Sequence, residues 1–121
     1  MDRLLVANRG EIARRIVAAC RTLGIETVAV HSDADATAPH VAEADLVVRL
    51  PGNSAAETYL RGDLLVAAAL RAGADAVHPG YGFLAENADF AAAVAGAGLT
   101  WVGPPANVIA LMGSKLGAKE L

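Results

Sequence analysis

Ten residues in the second half of the chain combine a constrained turn with scarce aromatic groups: His78-Pro79-Gly80-Tyr81-Gly82-Phe83-Leu84-Ala85-Glu86-Asn87. One proline and two glycines follow a short apolar run, which is turn chemistry at the end of a strand. Tyr81 and Phe83 are two of only five aromatic residues. Aromatics set on a strand-end loop point to a surface that contacts something. A rigid turn whose aromatics cover the end of a sheet is the competing reading, and the residues alone leave both open.

Gly113-Ser114-Lys115 carries a different chemistry. A lysine just inside a helix start works against the helix dipole, and it becomes useful where an anion binds. On spacing alone, a solvated surface lysine is the simpler reading. The segment Ala7-Asn8-Arg9-Gly10-Glu11-Ile12 occupies the place where a dinucleotide-binding domain carries G-x-G-x-x-G. It has one glycine, and Glu11 would repel a phosphate at that helix start. No P-loop pattern occurs. Nicotinamide and flavin binding are therefore disfavoured.

His31, His40 and His78 show no metal-ligand spacing, and the lone Cys20 cannot form a disulfide within the chain. A structural zinc has no ligand set here. Cys20 reads as a small buried hydrophobe on a helix, and His31 as a hydrogen-bonded residue closing a strand. Arg14 and Arg15 read as a solvated helix face or as a subunit or domain contact.

The elements that must position these residues alternate between strand and helix. Residues 3–7 read as a buried strand. Ile12, Ile16, Val17, Cys20 and Leu23 follow at helical spacing, with Gly24 as the stop. Further strands are predicted over 27–31, 46–50, 76–78 and 99–102, and a short helical stretch over 41–44. Asp63 is the predicted cap of a helix whose apolar face includes Leu64, Ala67, Ala68 and Leu70. Asn87 is the predicted cap of a helix carrying Phe90 and Val94. Pro105 suits the first turn of a helix reaching Met112. Strands separated by helix-sized segments imply a Rossmann-like α/β fold: an open parallel sheet of about five strands, buried on both sides, with helices on both faces. Ligands gather at the carboxyl ends of such strands, so the loops 8–11, 78–87 and 103–107 matter most.

Composition narrows the class. At 55% hydrophobic residues over 121, the chain can bury a single core, and disorder is disfavoured. A net charge of −3 without a basic patch disfavours nucleic acid. No apolar run is long enough for a membrane span, and charged Asp2, Arg3, Arg9 and Glu11 leave no room for a signal peptide. The default expectation is a cytoplasmic location. The last helix has a start and no stop, so the natural chain is expected to continue beyond Leu121.

Taken together, the Leu5–Ala13, His78–Asn87 and Gly103-Pro104…Met112–Lys115 segments resemble biotin-dependent carboxylases, in the same order and at the same spacing along the whole chain. The resemblance implies a pre-ATP-grasp N-terminal domain at 1–112 and the start of an ATP-grasp segment at 113–121. It implies a ligase that uses ATP and Mg2+ to phosphorylate bicarbonate and to carboxylate N1 of biotin. Partners would be the rest of the biotin carboxylase chain, a biotin carboxyl carrier domain and a carboxyltransferase. An acyl-CoA carboxylase, hence a place in fatty acid metabolism, is the first expectation, and a pyruvate or urea carboxylase the alternative. Lys115 matches a lysine on the ATP phosphates. Tyr81, Gly82, Phe83 and Glu86 match a loop facing biotin and bicarbonate. Arg15 matches an arginine at the homodimer contact of bacterial members. Ser114 stands where members often have Asp, and Ala18 and Thr22 replace charged residues near Arg15. The magnesium ligands, the ATP lid and the catalytic base are expected beyond Leu121, which leaves these 121 residues inactive alone. A non-catalytic nucleotide- or partner-binding module is the rival from another class.

Overall fold

A computed structural model describes residues 1–104 and 106–109. Arg3–Val6 forms β1 and Gly10–Leu23 forms α1. Glu26–His31 is β2, and after a single 3-10 turn at Asp33–Asp35 come α2 (Pro39–Glu43) and β3 (Leu46–Arg49). Then follow α3 (Gly62–Arg71), β4 (Ala76–His78), α4 (Ala88–Gly96) and β5 (Thr100–Trp101). All strand pairs are parallel, in the order β3-β2-β1-β4-β5. This is the five-stranded α/β architecture that the alternation of elements implies.

The pleat turns successive side chains of β1 to opposite faces. Leu5, with Val28 and Val77 beside it in register, meets Leu65, Ala68 and Ala69 of α3 and Phe90 and Val94 of α4. Leu4 and Val6 meet Ala13, Val17 and Cys20 of α1. Helices therefore cover both faces. Cys20 is buried as expected, and burial pushes its thiol pKa up, away from the reactive thiolate.

Local signals held where they were local. Gly24 ends α1 in the left-handed region at φ 74°, and Asn87 Oδ1 caps α4 by accepting from the Phe90 N–H at 2.9 Å. Three expectations fail. The α3 cap is Arg61, while Asp63 sits in the first turn and pairs with Arg61 at 2.8 Å. The buried stripe of α3 is Leu65, Ala68 and Ala69, with Ala67 and Leu70 exposed. Residues 64–70 are apolar all round, so periodicity cannot choose which side meets the sheet. β3 also departs from the doubly buried expectation. It lies at the sheet edge with Leu46 and Val47 exposed, while Leu50, just past its end, is buried. Among the described residues, no helix is long and apolar enough to cross a membrane.

Candidate functional site

The strand order reverses beside β1: the chain steps from β1 out to β2 and β3, then returns to β4 on the other side. The carboxyl ends of β1 and β4 therefore bound the crevice where open α/β sheets bind ligands. Two of the loops singled out by sequence meet there, and Asn8 joins them. Its buried Nδ2 donates to the carbonyls of Pro79 at 2.8 Å and Tyr81 at 2.7 Å, while its Oδ1 accepts from the Arg9 N–H at 2.8 Å. Every hydrogen-bonding role of that amide but one acceptor site is thus used within the turn. Gly80 lies between, at φ 67°. A Cβ there would stand 2.7 Å from Ile12 Cγ2 and 2.9 Å from Asn8 Nδ2. The glycine is required both by the backbone conformation and by the close approach of α1.

The Gly80 N–H donates to His78 Nδ1 at 3.0 Å, which leaves the ring proton on Nε2. Burial depresses the His78 pKa, so the imidazole is neutral at pH 7. Further along, Gly82 has φ 70° and Phe83 φ 43°. A left-handed phenylalanine costs on the order of 1–3 kcal/mol and persists only where its surroundings hold it. The Phe83 ring lies 5.3 Å from that of Tyr59. Buried Tyr59 donates its hydroxyl to Asp35 Oδ2 at 2.6 Å and accepts the Ser32 N–H at 3.0 Å. Arg9 completes the set, with Nε at 2.6 Å and Nη2 at 2.7 Å from the two Asp35 oxygens. The Arg9 guanidinium, with help from the Tyr59 hydroxyl, holds the Asp35 carboxyl well below the usual carboxylate range despite its burial.

The loop aromatics part company. Phe83 turns toward Tyr59 and the α3–α4 side, where its neighbour Leu84 joins the core. Tyr81 is 79% exposed and borders a groove of about 1090 Å³ on the α1 side. Ile12, Ile16 and Leu23 of α1 line this groove together with Val102 and Pro104. Arg15 lines it too, its guanidinium 3.9 Å from Glu11. Gly82 and Glu86 are exposed. Lys115, with Ser114, lies outside the described residues. Among the described residues, no three His, Cys, Asp or Glu side chains converge to hold a metal ion.

Arg9, Asp35 and Tyr59 carry no role in the sequence reading. Tyr59 did leave a signal, as a lone aromatic after the mostly polar stretch Asn53-Ser54-Ala55-Ala56-Glu57-Thr58. Asp35 left none that a local window could hold. His31 bonds the Ser32 carbonyl through Nδ1 at 2.8 Å, in keeping with a structural role. Arg14 pairs with Glu43 of α2 at 2.8 Å, which makes it a bridge between helices as well as a surface residue.

The sequence profile of the family described as biotin carboxylase, N-terminal domain, matches residues 1–109. The chain is 53% identical over 121 residues to the mitochondrial methylcrotonoyl-CoA carboxylase subunit alpha of Glycine max, covering all of this chain and 17% of that protein. It is 53% identical to the biotin carboxylase of Pseudomonas aeruginosa over 99% of its own length and 27% of the relative's. The biotin carboxylase subunit of pyruvate carboxylase superposes with a TM-score of 0.90 at 51% identity, over 98% of this chain and 26% of that one. The chain thus spans between about a sixth and a quarter of the length of these proteins.

Proposed function

The chain belongs to the biotin carboxylase N-terminal domain family, and on that premise we propose that it forms one wall of the active site of an ATP-dependent ligase that carboxylates biotin. The observation that carries this reading is the Asn8 clamp. It fixes the aromatic loop at the crevice between β1 and β4, where an open sheet binds its ligand. In this reaction the γ-phosphoryl group of ATP passes to bicarbonate and ADP leaves, and N1 of biotin then gives up its proton and takes the carboxyl group as phosphate leaves.

The residues take distinct parts. Exposed Tyr81 offers a ring face to the bicyclic ring system of biotin. Gly82 lets the backbone come close, and exposed Glu86 completes the biotin and bicarbonate side of the loop, while Phe83, which the resemblance also assigns there, has its ring turned to Tyr59 and supports the loop from behind. Lys115 serves the ATP phosphates as a charged donor. Arg15, exposed on α1, serves a homodimer contact. Residues 1–112 form this unit, and 113–121 lead into the ATP-grasp part, which brings the ligands for Mg2+. The groove on the α1 side receives that remaining part of the carboxylase. The support is its apolar walls, its position beside Gly103 and Pro104 where the chain leads on, and the greater part of each relative's length, which lies outside this chain.

Carboxybiotin then passes on a carrier domain to a carboxyltransferase. An acyl-CoA acceptor is favoured by the methylcrotonoyl-CoA relative, and pyruvate or urea is the alternative. The deciding experiment measures phosphate release from ATP with bicarbonate and Mg2+, with and without free biotin. The full-length carboxylase should show biotin-dependent release and residues 1–121 alone none. Turnover by the 121 residues above a heat-killed control refutes this division of labour.

A further inference from the structure

The aromatic loop is held at two points. At its start, Asn8 holds the carbonyls of Pro79 and Tyr81. Two residues on, the ring of left-handed Phe83 rests on Tyr59. The two holds are themselves tied together. Arg9 follows Asn8 in the chain, grips both oxygens of Asp35, and Asp35 accepts the Tyr59 hydroxyl.

The chemistry of this tie is not what packing alone would select. Tyr59 is buried, and its position within the main core cluster would suit an apolar side chain. An ion pair with one buried member contributes little net stability over well-packed apolar groups. A bidentate guanidinium–carboxylate pair does contribute direction, because both bonds form in one orientation only. The Tyr59 hydroxyl is set from two sides, by Asp35 and by the Ser32 N–H. The ring beneath Phe83 is therefore fixed in place as well as buried.

We propose that Tyr59, anchored by Asp35 and Arg9, is a positioning residue that sets Phe83 and, through the loop, the attitude of Tyr81 toward biotin. It touches no substrate. This role rests on the proposed biotin-facing function of the loop.

The test compares Tyr59→Phe, Tyr59→Leu, Tyr81→Ala and the Tyr59→Leu/Tyr81→Ala pair in the full-length carboxylase. The readouts are the KM values for biotin and for ATP in biotin-dependent phosphate release. Tyr59→Leu should raise the biotin KM roughly tenfold and leave the ATP KM within about twofold. Tyr59→Phe, which keeps the ring and loses the tie, should fall between. The double variant should be no worse than Tyr81→Ala alone, since both residues act through one contact. Equal rises in both KM values, or fully multiplicative effects, overturn the proposal. If the leucine variant does not fold, Tyr59→Phe decides, and an unchanged biotin KM overturns it. Amide hydrogen exchange gives a readout independent of turnover: Tyr59→Phe should speed exchange across 79–87 and leave α1 unchanged. An unsubstituted enzyme without biotin-dependent release refutes the carboxylase reading alone, while unchanged exchange refutes the positioning role.

Discussion

Asn8 Nδ2 stands 2.9 Å from the point where a Cβ on Gly80 would lie. The side chain of one residue occupies the space the other leaves empty, and this holds two loops together across a sequence separation of about 72 residues. The crevice at the sheet end depends on that pair.

Asn8→Ala should therefore destabilise the fold by about 1–3 kcal/mol, because two loop carbonyls lose their donor. Gly80→Ala should cost a similar amount, about 1–3 kcal/mol, from strained backbone and overpacking against Ile12. Urea denaturation of each variant measures the loss. Midpoints unchanged from the natural sequence would mean that the loop is not tied where the distances place it.

Acid should expose the Asp35 tie. Bonds from Arg9 first, then Tyr59, lower the folded pKa of Asp35. Such a carboxylate adds stability that is complete above its unfolded value of about 4 and is lost as pH falls through the folded value. Asp33, brought down to about 2 by the Arg49 guanidinium and the Gly52 N–H, acts in the same direction. Stability should hold from pH 7 to about 5 and fall steadily below about 4. Asp35→Asn should start lower at pH 7 and lose less on acidification. A full acid loss in that variant would assign the effect to other carboxylates.

Tyr81 is predicted to act on one substrate. In the full-length enzyme, Tyr81→Ala should impair biotin carboxylation more than ATP binding, since the exposed ring stands at the sheet-end crevice. The Michaelis constants for both substrates check this. A selective loss toward ATP with normal biotin kinetics would place the residue elsewhere.

Lys115 tests the ATP assignment. A charge-assisted hydrogen bond to phosphate typically contributes about 1.5–3 kcal/mol. At about 1.4 kcal/mol per tenfold, Lys115→Gln should lower catalytic efficiency for ATP roughly ten- to hundredfold with little change in stability. Lys119→Gln, four residues on, is the control. Identical behaviour of the two variants would reduce Lys115 to a solvated side chain.

Much of this architecture was present in local pattern. Apolar runs bounded by Pro and Gly marked the strands, Asn87 and Gly24 marked helix ends, and loops 8–11 and 78–87 were marked as ligand-side by the sheet type alone. These signals need only a residue and its near neighbours, so the sequence by itself determines them. The tertiary structure decided the rest. It chose Leu65, Ala68 and Ala69 as the buried stripe of α3, because an all-apolar segment has no preferred side until a sheet is placed against it. It sent Tyr81 and Phe83 to different faces, because left-handed backbone at Gly82 and Phe83 redirects the chain from one to the other. It also joined Arg9 to Asp35 across 26 residues and Asp35 to Tyr59 across 24. The first of those bonds depends on parallel register bringing the ends of β1 and β2 side by side, a relation between distant segments that no periodicity within either one encodes.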